Sequence, residues 1–158
     1  MRLYVVTKDK NENNEDYHFR YSATLRIWGD IDNLNEISTT LKLEPTYVHK
    51  KGEQAPLKSV HKFDMWGYTV PVARAQSFAL HLNTLWAAIR SHKDYLIKLK
   101  QTLQVDVFCG YQSNASAAGF EVPYTALEIF IELQIPFDVS VIVTSNELRA
   151  ALSKASNG

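Results

Sequence analysis

From residue 17 the chain alternates. Tyr17, Phe19, Tyr21, Ala23, Leu25 and Ile27 share one parity, and His18, Arg20, Ser22, Thr24 and Arg26 share the other. A period of two with one apolar face predicts a half-buried antiparallel strand with one wet face. Gly29 ends it. Ahead of this strand, residues 3–7 read as a short strand and KDKNENNED, residues 8–16, as an exposed polar loop. Beyond Gly29, Ile31, Leu34, Ile37 and Leu41 form a helical stripe. Asp30 or Asp32 is expected to cap that helix, and Pro45 lies just past its end.

Residues 45–64 follow no regular period, so this stretch is expected to be a functional loop or to hold irregular strands. Trp66, Tyr68, Val70 and Val72 then predict a second main strand at 65–72. The strongest pattern comes next. Phe78, Leu82, Leu85, Ile89, His92, Leu96, Leu99 and Leu103 are spaced 4-3-4-3-4-3-4, with no Gly or Pro in the stretch. This is the stripe of one amphipathic helix from about residue 74 to 103. Val105, Val107, Cys109 and Tyr111 predict a third strand, and residues 110–119 a turn region of small polar residues. A fourth strand is expected at 120–122, a helix at 123–133 opened by Pro123, a fifth strand at 137–143 and a terminal helix at 146–155.

Residues 21–45 and 119–143 read alike. Each shows a strand, a helix and a closing Leu-Lys-Leu-Glu-Pro or Leu-Gln-Ile-Pro, which suggests related halves. The order of elements predicts an α+β fold, a ferredoxin-like two-layer sandwich with a mostly antiparallel sheet and helices on one face. The long helix at about 74–103 is its main cover. Its stripe is expected to bury against Leu25, Ile27, Val105, Val107, Val139 and Val141.

Composition narrows the field. The 158 residues suit one domain, 1–158. Seventeen basic and seventeen acidic side chains leave no net charge, which disfavours nucleic acid as a partner. A single cysteine, Cys109, excludes a disulfide framework and an all-Cys zinc site. The opening residues turn charged at Lys8, too soon for a signal peptide. No apolar run reaches the ~18 residues of a membrane span. A soluble cytoplasmic protein is the expectation.

Several short motifs carry a resemblance. They are Ala23-Thr24-Leu25-Arg26-Ile27-Trp28-Gly29, Leu43-Glu44-Pro45-Thr46, Lys50-Lys51-Gly52-Glu53, Trp66, and Val107-Phe108-Cys109-Gly110-Tyr111 leading to Gly119-Phe120-Glu121. Over roughly residues 20–143 the chain resembles a bacterial domain-of-unknown-function family, number 4279. The resemblance implies no catalytic residues. Small α/β proteins of this kind are often suggested as immunity proteins to toxins, an association rather than a derivation.

The residues themselves support little catalytic chemistry. His18, His49, His61, His81 and His92 contain no metal-binding spacing, so no metal or cofactor is expected. Cys109 falls on an inward strand position and reads as an inert small hydrophobe. No nucleophile elbow, P-loop or dinucleotide fingerprint occurs. Arg26 and Asp106 are expected to pair across strands. The leading reading is therefore a non-enzymatic protein-binding module, in its sharper form an immunity-type toxin inhibitor. Tyr47, Lys50, Lys51, Lys62 and Trp66 are its candidate partner-binding residues. The alternative is a small-ligand-binding or enzymatic domain with a pocket between loop 45–64 and loop 110–119. A homodimer joined through an edge strand such as 3–7 is the third.

Overall fold

The computed structural model describes residues 19–115 and 119–144. The expected strand at 3–7, the loop at 8–16, the first residues of the alternating stretch and the helix at 146–155 lie outside the described residues. In chain order the elements are β1 (Phe19–Gly29), α1 (Leu34–Leu41), β2 (Tyr47–His49), β3 (Gln54–Ala55), β4 (Ser59–Val60), β5 (Asp64–Thr69), α2 (Phe78–Ile89), α3 (Lys93–Leu99), β6 (Gln104–Ser113), α4 (Glu128–Leu133) and β7 (Val139–Val143). The sheet runs β2-β5-β1-β6-β7, and β3 and β4 pair separately. All neighbours in the main sheet are antiparallel except β6 and β7. Leaving β7 aside, the first strand lies between the third and the fourth, and the second lies beyond the third. That is the β-α-β-β-α-β arrangement of a ferredoxin-like sandwich. The α4–β7 unit is added to its β6 edge.

The alternation of β1 decides which face the helices cover. Tyr21, Ala23, Leu25 and Ile27 are buried in one core with Phe78, Leu82, Leu85, Ile89 and Leu96. The register continues this inward face, with Ile27 between Trp66 and Val105, and Leu25 between Tyr68 and Val107. Val139 packs at the margin, but Val141 is exposed, because β7 is the edge strand. No helix among the described residues covers the opposite face, which carries Arg26 and Trp28, both half-buried.

Several expectations are corrected. Asn33 caps α1, its Oδ1 accepting the Asn35 N–H at 3.0 Å. Asp30 instead binds Lys51. The central helix begins at Phe78 behind the Ser77 cap, because the Arg74 carbonyl accepts the Tyr21 N–H at 2.8 Å and so belongs to the sheet margin. It is also interrupted by a 3₁₀ turn at Arg90–His92. A stripe of period 3.5 outruns an α-helix by about 20° per heptad. A 3₁₀ turn advances about 20° more per residue than an α-turn. The tightened turn thus realigns the stripe, and Leu96 is as fully buried as Leu85.

The strand expected at 120–122 is absent. Its place beside β6 is taken by β7, which pairs from Cys109–Val139 to Ser113–Val143. Phe120 still contacts the core, edge-on to Phe78 at 5.3 Å. The expected helix at 123–133 opens with a 3₁₀ turn, Tyr124–Leu127. Without a strand at 120–122 the two halves do not share an opening strand. Their shared ending is a shared helix ending. Lys42 and Gln134 both take left-handed φ, 56° and 53°. Leu43 and Ile135 then donate back to Ser38 and Phe130 in the same helix-ending motif.

Candidate binding face

Four strands bring one row of residues together on the open face. Tyr47 lies opposite Gly67, Gly67 opposite Arg26, and Arg26 opposite Asp106. The Tyr47 ring lies over Gly67, where a Cβ would come within 2.6 Å of Tyr47 Cε1 and Cε2. Arg26 donates to Asp106 twice, Nε to Oδ1 at 2.7 Å and a terminal NH₂ to Oδ2 at 2.8 Å. A forked pair of this kind fixes orientation as well as charge. The bond to Asp106 raises the Arg26 pKa above its ordinary value. Burial raises that of Tyr47, with the Arg26 charge working against it.

Aromatic rings flank this row. The Arg26 guanidinium sits 4.7 Å from the Phe108 ring centroid. Trp28 meets Phe63 at 5.4 Å. Tyr47, Phe63 and Phe108 remain 38%, 45% and 37% exposed. In the adjoining row, the Thr24 and Thr69 hydroxyls share a hydrogen bond of 2.8 Å.

The segment after β2 is held by carboxylates. Asp64 accepts the Ile31 and Lys51 backbone N–H groups, both at 2.9 Å, and these bonds lower its pKa. Glu53 accepts the Lys50 N–H at 2.8 Å. Gly52 turns the chain at φ 86°. His49 stacks on His61 at 3.6 Å. Among the described residues, no three His, Cys, Asp or Glu side chains are grouped to hold a metal ion. Cys109 is buried, its thiol pushed up to about 12 by desolvation.

A family match covers this whole arrangement. Residues 17–144 match the model of a domain of unknown function, DUF4279. The chain belongs to the DUF4279 family. The match contains every strand and helix described, from β1 to β7, and hence the whole open face. Comparison with curated proteins and with solved structures finds no match.

Within this DUF4279 domain the five candidate residues separate. Tyr47 is on the open face. Lys50 and Lys51 follow β2, and Lys62 precedes Phe63 at the same end of the sheet. Lys51 Nζ is 2.9 Å from Asp30 Oδ1, whereas the Lys50 charge acts on Asp64 without a close ion pair. Trp66 faces the other way. It is 0% exposed, and its indole N–H donates to Ser38 Oγ at 2.9 Å. The period-two pattern places Trp66 opposite Ile27, so it anchors the core and cannot touch a partner.

The expected Arg26–Asp106 pair is present. Phe108 shares its outward parity with Arg26 and Asp106 along the sequence, and Trp28, Phe63 and Gly67 complete the company of the pair. Strand parity signals Trp28 and Phe108, but only the register reveals Gly67 beneath Tyr47. Among the described residues, the loops expected to enclose a pocket, 45–64 and 110–119, leave from opposite ends of the sheet. Residues 47–49 pair at the Ile27 end of the sheet and residues 110–113 at the Phe19 end. No helix among the described residues is long and apolar enough to cross a membrane.

Proposed function

We propose that this DUF4279 domain is a non-enzymatic protein-binding module that docks a partner on the open face of its sheet. The row Tyr47–Gly67–Arg26–Asp106 carries the reading, because it places a rigid Tyr and Arg between half-exposed aromatics. Tyr, Trp and Arg are the side chains that most often anchor interfaces. Lys50, Lys51 and Lys62 form a basic rim at one end. An inhibitor that occludes a partner's active site is the sharper form of the proposal, and a cytoplasmic toxin is the partner it implies. The test is comparative capture from the native organism's lysate. Wild type should retain one stoichiometric partner that Tyr47→Ala and Phe108→Ala both lose at unchanged melting temperature. Ile131→Ala, on the exposed surface of α4, should retain it. Capture indifferent to both open-face variants overturns the proposal. Assaying the captured partner for toxicity tests the inhibitor form separately.

A further inference from the structure

After β5 ends at Thr69 the chain stays beside β1. Val70 N–H reaches the Ala23 carbonyl at 3.2 Å, and Tyr21 N–H reaches the Arg74 carbonyl at 2.8 Å. Between these anchors residues 70–74 face only residues 21–23, so two residues are in excess. The Val72 N–H bonds back to the Val70 carbonyl at 2.8 Å, a three-residue turn that bows the chain away from β1.

Beside this bulge lies a cavity of about 300 Å³, lined by Tyr21, Ser22, Thr24, Thr69, Val70, Val72, Arg74 and His81. Successive strand residues point to opposite faces. A wall that includes both Tyr21 and Ser22, and His81 from the helix side, therefore reaches across the sheet. The size is at the lower end of small-ligand pockets, roughly 300–1,000 Å³.

Its chemistry is one-sided. Four hydroxyl side chains, a guanidinium and an imidazole belong to its lining, and no carboxylate does. Arg74 is exposed and makes no ion pair among the described residues. His81 is 1% exposed, and neither ring nitrogen makes a hydrogen bond of proper geometry among the described residues; nor does the Tyr21 hydroxyl. Buried polar groups rarely stay unsatisfied without a reason. Burial and the Arg74 charge both hold the imidazole below its ordinary pKa, while the Ala73 carbonyl works the other way. A neutral imidazole offers one donor and one acceptor.

We propose that this cavity binds a small organic carboxylate, its negative end on Arg74 and its polar remainder among Ser22, Thr24, Thr69 and His81. Arginine forks match carboxylates in geometry and charge. Inorganic phosphate is the contrasting probe, because a compact anion would engage the cationic mouth alone.

The test is NMR titration of the full-length chain with lactate, pyruvate and succinate, following the His81 ring and the Thr24 and Thr69 methyls. Succinamide and inorganic phosphate serve as controls. At least one carboxylate is expected to shift these signals saturably and raise the melting temperature, with succinamide inert. Arg74→Gln, a surface change that leaves the core untouched, should weaken that binding at least about tenfold. Thr69→Val should weaken it while the fold persists. The proposal is overturned if no carboxylate gives saturable shifts. It is equally overturned if binding survives Arg74→Gln undiminished, or if phosphate reproduces the carboxylate response.

Discussion

At the scale of single residues, two aromatic side chains one position apart in strand pairing have opposite duties. Trp66 fills the core, so Trp66→Ala should cost about 3–5 kcal/mol in denaturant unfolding. Tyr47 lies over Gly67, and Gly67→Ala should displace its half-exposed ring rather than unfold the domain. The expected result is a changed Tyr47 ring environment by NMR with a stability loss of about 1 kcal/mol or less. The histidines set an acid limit. Burial lowers the pKa of both His49 and His81 below the ordinary 6.5, with His61 adding to the effect at His49. Above 6.5 both are neutral whether folded or not. As pH falls through 6.5 the unfolded chain takes up protons that the folded chain refuses, so stability falls. Denaturant melts between about pH 7.5 and 5.5 should show this slope, and His81→Phe should flatten it.

Helix ends and helix interruptions were the least legible elements. The stripe from Phe78 to Leu99 was plain, but the 3₁₀ turn at Arg90–His92 left no Gly or Pro to mark it. Strand 120–122 looked sound locally and failed because β7 holds the β6 edge, a competition that no local pattern encodes. The helix-ending positions are instead a place to improve the protein. Lys42 and Gln134 hold left-handed conformations that cost an L-residue roughly 1–2 kcal/mol. Lys42→Gly should therefore raise stability by about 0.5–1 kcal/mol in denaturant melts. Lys100 Nζ reaches the Leu133 and Gln134 carbonyls, each at 2.8 Å, and ties α3 to the end of α4. Lys100→Ala should cost about 0.5–1.5 kcal/mol and loosen amide protection in α4 before the rest.

For the whole molecule, the layered architecture was readable because β1 alternates so cleanly and α2 and α3 share one stripe. The open face was half readable. Parity exposed Arg26, Trp28 and Phe108, while the meeting of Tyr47 with Gly67 required the register of three strands. The cavity by His81 was not readable at all, since it comes from two surplus residues between two backbone bonds. One feature of the open face reaches beyond affinity to speed. Arg26 and Asp106 cancel each other at the centre, and the chain as a whole has no net charge. A docking surface neutralised from within exerts little long-range pull. Its partner should arrive at the unsteered rate of roughly 10⁵–10⁶ M⁻¹s⁻¹. Stopped-flow association should barely change when ionic strength rises about tenfold. A steep dependence would instead assign recognition to the charges of Lys50 and Lys62, at the rim.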